Sequence, residues 1–193
     1  MEGKLFVISG PSGVGKNTLL NRVMEKRDRV SYSISATSRP MRAKEINGES
    51  YYFVSREEFE AMIRGDKLLE YAEYDGNYYG TPLRPILEAT GRGDDIVMDV
   101  EVVGALKIKQ RLPDAVLVFI KAPSFDEIRK RMLGRGDLSP QAMESRLNRA
   151  VWECENADKY DYVIVNDDLE RACDELLAIM QAEKSGASDE NLK

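Results

Sequence analysis

The sequence predicts an α/β fold of three layers, α/β/α, on a parallel core sheet, with a small mixed-β insertion. Three observations carry this expectation. Short continuous apolar runs, the mark of strands buried on both faces, alternate with segments of helical periodicity. A glycine-rich turn joins the first such strand to the first such helix. Residues 35–81 interrupt the alternation with short strand candidates and a hairpin-turn signal. A chain of 193 residues suits one domain, or a core carrying a mobile insertion.

Residues 4–9 (KLFVIS) are an apolar run that stops at a glycine turn, as a buried strand does. Leu19, Leu20, Val23 and Met24 then recur at helical spacing, which predicts a helix over 18–26. Residues 30–35 read as a second strand, 37–48 as a polar, basic loop and 51–54 as a short strand. Ser55 and Glu58 form a capping box, so a helix starts there and runs to about Arg64, with Gly65 closing it. Residues 68–73 and 77–81 are short strands joined across Asp75 and Gly76.

Alternation resumes with a helix over 82–90, a turn at 91–94 and a buried strand at 95–100 (DIVMDV) that ends in acids. A helix over 102–110, a strand at 115–121 (AVLVFIK) and a helix over 124–133 follow, the last with a capping box of Ser124 and Glu127. GRG at 134–136 breaks that helix. Ser139 as N-cap and Pro140 at the first helical position start a longer one, running to about Ala157. A strand at 162–165, a turn at 166–168 and a helix over 169–184 complete the pattern, and the small polar residues 185–193 are expected to fray.

Composition excludes several classes of function. A formal charge of −6 and a pI near 5.0 argue against a general nucleic-acid binder. A local anion site needs only a few Lys and Arg. No apolar run is long enough to span a bilayer, and glycine follows the first strand too early for a secretory leader, so a cytoplasmic protein without a membrane partner is expected. Cys154 and Cys173 have no metal-ligand spacing and read as reduced thiols. The chain has no histidine, which excludes Ser-His and Cys-His catalysis and His-ligated metals.

Gly10, Pro11, Ser12, Gly13, Val14, Gly15 and Lys16 lie between a strand and a helix, the context that makes GxxxxGK a phosphate-binding P-loop. Its glycines let backbone N–H groups turn inward around a polyphosphate, and the helix N-terminus adds favourable potential. Lys16 brings a point charge to the β and γ oxygens of a nucleoside triphosphate. The pattern departs at one position. Asn17, followed by Thr18, stands where a Ser or Thr hydroxyl normally touches Mg²⁺. An amide oxygen is an acceptable ligand for a hard cation, so Asn17 is one candidate for holding Mg²⁺. Asp99 is the other, through water, because it ends a strand where open α/β sheets bind ligands.

In the loop SATSRPMR at 35–42, Arg39 and Arg42 suit a bidentate grip on a second phosphate, with Tyr51 and Tyr79 as hydroxyl donors. A solvated basic loop beside a tyrosine-bearing β core is the competing reading. At this point the order of motifs resembles the guanylate kinases, P-loop enzymes that phosphorylate GMP from ATP. The motifs are GPSGVGK (10–16), SATSRPMR (35–42), NGESYYFVS (47–55), LLEYAEYDGNYYGTP (68–82), DVEVVG (99–104), GRG (134–136) and VIVNDDL (163–169). Together they span about residues 4–184.

The resemblance implies a single domain over 1–184, with a core of 1–34, 82–124 and 159–184, a GMP-binding insertion at 35–81 and a helical lid at about 125–158. It implies GMP contacts from Ser35, Arg39, Arg42, Tyr51, Glu70, Tyr79, Thr81 and Glu101. The chemistry agrees. Guanine offers N1–H and N2–H₂ donors on one edge, and the Glu70 carboxylate can accept both. Adenine would leave that carboxylate unpaired, at a cost of several kcal/mol. The Ser35 and Thr81 hydroxyls can serve the rest of the guanine edge. Family members often carry Asp at the position of Glu101 and Gln at that of Val103. The first change keeps the charge; the second removes a polar group.

Arg131, Arg135, Arg146 and Arg149 surround the GRG break. The resemblance implies that Arg135 and Arg146 close over the triphosphate and stabilise the transferring phosphoryl group, with Lys16 and Arg39 completing the catalytic set. It places Asn166 near the adenine, so the implied ATP site is residues 10–18 with Arg135 and Arg146 above it and Asn166 at the far end. The implied reaction moves the γ-phosphate of ATP to GMP, and also to dGMP, with Mg²⁺. No general base is needed, because a phosphate monoester with a second pKa of about 6 is already largely dianionic at neutral pH. Two other readings stay open: an inactive guanylate-kinase-like module that binds peptides, and a kinase of a phosphorylated sugar. The intact P-loop speaks against the first, and Glu70, Thr81 and NYYG against the second.

Overall fold

The first expected strand is the centre of the molecule. The structure, a computed structural model, describes residues 2–133 and 140–186. In chain order the elements are β1 (Leu5–Ser9), α1 (Lys16–Lys26), β2 (Val30–Tyr32), β3 (Ala36–Thr37), β4 (Tyr52–Phe53), α2 (Arg56–Arg64), β5 (Leu68–Tyr74) and β6 (Asn77–Pro82). They continue with α3 (Leu83–Gly91), β7 (Asp95–Asp99), α4 (Val102–Arg111), β8 (Val116–Lys121), α5 (Phe125–Leu133), α6 (Pro140–Glu155), β9 (Tyr162–Val165) and α7 (Leu169–Ser185).

Five parallel strands form the core sheet in the order β2-β7-β1-β8-β9. All five residues of β1 are buried, which is why the run is continuously apolar. Side-chain alternation along the strands sends the two halves of the apolar set to opposite faces. Phe6, Ile8, Val118 and Ile120 pack with Leu19, Leu20 and Val23 of α1 and Leu176 and Met180 of α7. Leu5, Val7, Leu117 and Phe119 pack with Ile86 and Ala89 of α3 and Val102, Ala105 and Ile108 of α4. The three-layer α/β/α expectation is met. Among the described residues no helix is long and apolar enough to cross a membrane.

Residues between β2 and α3 build a separate four-stranded mixed sheet in the order β4-β3-β6-β5. Asp75 and Gly76, at φ 49° and 71°, make the hairpin turn between β5 and β6, as the dipeptide predicts. The Ser55–Glu58 capping box forms in full at the start of α2. This sheet has its own buried cluster of Ala36, Phe59 and Leu68, and Phe59 stacks on Tyr78 with ring centroids 5.2 Å apart.

Three expectations need correcting. Residues 30–35 are not one strand: β2 leaves the core sheet after Tyr32, and the chain crosses over residues 33–35 to begin β3 in the second sheet. An apolar-polar pattern alone cannot locate a change of partner. Helix α1 starts at Lys16 rather than at 18, because left-handed Gly15 (φ 92°) is its N-cap. At Ser124 the hydroxyl accepts from the Glu127 N–H at 3.2 Å, but the Glu127 carboxylate takes Arg131 at 2.8 Å rather than completing a capping box. Met1, the GRG break with Arg135, the Ser139 cap and the tail from 187 lie outside the described residues.

Phe59 is fully buried at the centre of the small cluster under the second sheet. Phe59→Ala is expected to cost about 3–5 kcal/mol, measured as a lowered urea midpoint at unchanged slope. A loss below about 1 kcal/mol would show that the second sheet is held together by something else.

Candidate active site

At the carboxyl ends of β1 and β7 a cavity of about 890 Å³ opens between the P-loop and helix α6. Gly10, Ser12, Gly13, Gly15, Lys16, Asn17 and Thr18 form one wall. Two glycines are required by space as well as by angle. A Cβ on Gly10 (φ 149°) would lie 2.2 Å from the Ile120 carbonyl oxygen, and one on Gly15 would lie 2.7 Å from Asn166 Nδ2. The first turn of α1 carries backbone N–H groups without intrahelical acceptors, which suits an anion. Pro11 and Val14 are buried behind the loop rather than lining the cavity.

The loop is braced from behind. Asn166 Nδ2 donates to the Val14 carbonyl at 2.7 Å. Arg131 donates to the same carbonyl and to that of Asn166, both at 3.3 Å, while its Nε is held by Glu127. Asn166 and Arg131, read from the sequence as ligands or lid cations, are thus buttresses of the P-loop here. Lys16 Nζ donates to the Gly10 carbonyl at 2.6 Å and lies 3.8 Å from Asp99 Oδ1. Burial pushes the Asp99 carboxyl up to about 6, with Glu153 and Glu101 adding to the shift and Lys16 opposing it.

Helix α6 forms the opposite wall with Arg146, Arg149 and Glu153. Arg149 reaches across the cavity to Glu101 at 2.7 Å and holds Glu153 at 3.2 Å. Glu153 is only 7 % exposed, and burial raises its pKa against the pull of Arg149 and Lys16. Arg149 belongs to the arginine group that the sequence places around the GRG break, whereas Glu153 carries no sequence signal, since its partner lies on the same helix face.

The acceptor-side residues sit on the second sheet in two groups. Thr81, fully buried, donates from its hydroxyl to Glu70 Oε1 at 2.8 Å. Burial raises the Glu70 carboxyl, and Glu101 adds to this, while the Thr81 bonds and Lys107 oppose it. Ser35 leads into β3, its carbonyl accepting from the Tyr52 N–H at 2.8 Å. In the second group Tyr51 and Tyr79 meet edge to face at 6.2 Å, and the Arg39 guanidinium lies 5.6 Å from the Tyr51 ring centroid. Arg42 is exposed nearby in sequence. Glu45, absent from the sequence-based set, grips Arg39 through both terminal nitrogens at 2.7 and 2.9 Å. A carboxylate six positions along a loop leaves no periodic signal to find it by.

A P-loop at the carboxyl edge of a parallel sheet, an acid ending the adjacent strand and arginines on a helix across the cavity define a P-loop phosphotransferase. The comparisons narrow that class. The guanylate kinase family model matches residues 2–183. The chain is 49% identical to a guanylate kinase of Thermus thermophilus, over 100% of this chain and 88% of the relative. It is 46% identical to one of Halalkalibacterium halodurans, over 94% and 89%. The crystal structure of a guanylate kinase from Anaplasma phagocytophilum superposes with a TM-score of 0.72 at 33% identity, covering 95% of this chain and 87% of that one. The chain belongs to the guanylate kinase family.

Asp99 also supplies a stability test. Between the unfolded carboxyl value of about 4 and the folded value of about 6, the folded protein binds more protons than the unfolded chain, so stability falls as pH rises through that window. Thermal midpoints of wild type and Asp99→Asn should show the wild type losing ground from about pH 4 to about pH 6 and a constant difference above it. A difference independent of pH overturns the assignment.

Proposed function

We propose that the chain is an ATP:GMP phosphotransferase of the cytoplasm that also accepts dGMP. The carrying observation is that a P-loop cavity and a half-buried Glu70 bonded to buried Thr81 occur in one molecule, with Glu101 on the cavity wall close enough to raise the Glu70 carboxyl. The first suits a triphosphate. The second holds a carboxylate, oriented by the Thr81 hydroxyl, that can accept from both donors on one edge of guanine. None of the residues assigned to the acceptor demands a ribose 2′-hydroxyl.

ATP binds on residues 10–18, with Lys16 leaving the Gly10 carbonyl for the β and γ oxygens. Asn166 lies at the adenine end of this site and also braces the loop from behind. Arg39, Arg42, Tyr51 and Tyr79 hold the acceptor phosphate, Glu70, Ser35 and Thr81 the guanine, and Glu101 the edge nearest the donor. The acceptor phosphate oxygen attacks the γ-phosphorus in line. Catalysis is positioning plus neutralisation of charge by Lys16, Arg39, Arg135 and Arg146. The insertion at 35–81 and the lid at about 125–158 close on the core and exclude water.

Asn17, Thr18 and Asp99 put hard oxygen donors on the same cavity, so they fit Mg²⁺, which needs only one or two protein carboxylates beside the phosphates. Asn17 and Asp99 are the residues that would hold it, Asp99 through water. When bound, the ion neutralises charge on the β and γ oxygens.

An assay of ADP release with GMP, dGMP, AMP, UMP and CMP as acceptors should show turnover with the two guanine nucleotides only, and slower ATP hydrolysis without an acceptor. Glu70→Ala should lower kcat/KM for GMP by about a hundredfold or more while leaving the KM for ATP within about twofold. Equal use of GMP and a base-free phosphate would falsify the assignment. Asn17→Ala should raise the Mg²⁺ concentration needed for half-maximal rate; an unchanged Mg²⁺ dependence shows that Asn17 is not a ligand.

A further inference from the structure

The Arg39–Glu45 pair has a geometry that says more than that the two charges attract. Arginine has five N–H donors, arranged along two edges that can each bind an anion bidentately. Glu45 Oε2 and Oε1 take Nη1 at 2.9 Å and Nη2 at 2.7 Å, the end-on edge. The other Nη1 hydrogen goes to the Pro40 carbonyl at 2.6 Å. What remains is the side-on edge, made by Nε and the second hydrogen of Nη2, and the Tyr79 hydroxyl, itself assigned to the acceptor phosphate, is hydrogen-bonded to the guanidinium there. Two rings flank the guanidinium as well, its carbon lying 5.6 Å from the centroids of both Tyr51 and Phe53. The same carboxylate accepts from the Arg42 backbone N–H at 2.7 Å, so one side chain ties together both arginines of this loop. The pair is largely covered, with side-chain exposures of 12 and 18 %.

We propose that Glu45 is a positioning residue for the phosphoryl acceptor: by occupying the end-on edge of Arg39 it presents the side-on edge, already oriented, to the phosphate of the nucleoside monophosphate. Glu45 and the acceptor phosphate then bind Arg39 together rather than in competition. Without the carboxylate the guanidinium would have to be ordered by the ligand itself, and that entropy would be subtracted from acceptor binding. The Glu45 carboxyl is held down at about 2 by Arg39 and by the Arg42 N–H, so the clamp is charged throughout the working pH range.

The inference rests on the acceptor site proposed above. Steady-state kinetics of Glu45→Gln should show the KM for GMP raised by about tenfold to a hundredfold, with the KM for ATP and the acceptor-independent hydrolysis of ATP within about twofold. Glu45→Asp, which keeps the charge on a shorter stem, should fall in between. Arg39→Lys removes the two-edged fork, so the double variant Arg39→Lys with Glu45→Gln should be no worse than Arg39→Lys alone. An unchanged KM for GMP overturns the proposal. A lowered KM does so too, by making Glu45 a competitor of the phosphate. Losses that add in the double variant, or a Glu45→Gln variant whose ATP binding also fails, assign Glu45 to loop folding instead. A wild-type protein that does not phosphorylate GMP defeats the acceptor reading itself, a result distinct from any of these.

Discussion

A cleft made to receive phosphates has to keep several cations close together before any phosphate arrives. Two unit charges 4 Å apart repel by about 1 kcal/mol in water and about 4 kcal/mol at a partly buried site. This protein meets the problem by giving four of its cations their own local acceptors. Lys16 rests on the Gly10 carbonyl beside Asp99, and Arg131 on two carbonyls and Glu127. Arg149 rests on Glu101 and Glu153, and Arg39 on Glu45. The cost appears on the acids. Asp99 and Glu153 are both harder to ionise than usual, because they are buried and stand near other carboxylates. A net charge of −6 is compatible with a polyanion site because these cations are placed where they are needed and matched locally.

What was legible in the sequence was what is local. The P-loop, the Ser55–Glu58 box and the Asp75–Gly76 turn each state their geometry within a few residues, and all three form as expected. The continuous apolar runs announced a parallel sheet because both faces of β1 are covered. Glu70 and Thr81 became legible only through the order of motifs along the chain, since an acid in a strand carries no label. The functions of Arg131 and Asn166 as braces were not legible at all: their partner is the Val14 carbonyl, and no side-chain pattern marks a carbonyl. The course of residues 30–35 is illegible for a related reason. The change of sheet after Tyr32 is decided by which strand lies alongside, not by the hydrophobic pattern.

Glu70 stands at a seam. Leu68 belongs to the small cluster under the second sheet, while Leu69 packs in the main core with Ile86, Met98 and Phe119. The register of β5 against β6 shifts between Leu68 and Glu70, so the irregularity falls where the two packing units meet. A residue there is fixed by the core and by the insertion at once. The proposed acceptor phosphate site, by contrast, rests wholly on the second sheet and its loop. The two ends of a bound nucleotide would therefore be held by parts of the molecule with different mechanical ties to the P-loop.

The bracing of the P-loop also says something about how the protein comes into being. The loop's shape depends on Asn166 and Arg131 behind it, and β1 gains its first partners only with β7 and β8. All of these follow the loop by many residues in the order of translation. A ribosome therefore delivers the most recognisable stretch of this sequence early, as an unshaped segment with nothing to lean on. The nucleotide site is complete only after the last strand of the core has emerged, so synthesis and binding are separated in time by the topology itself.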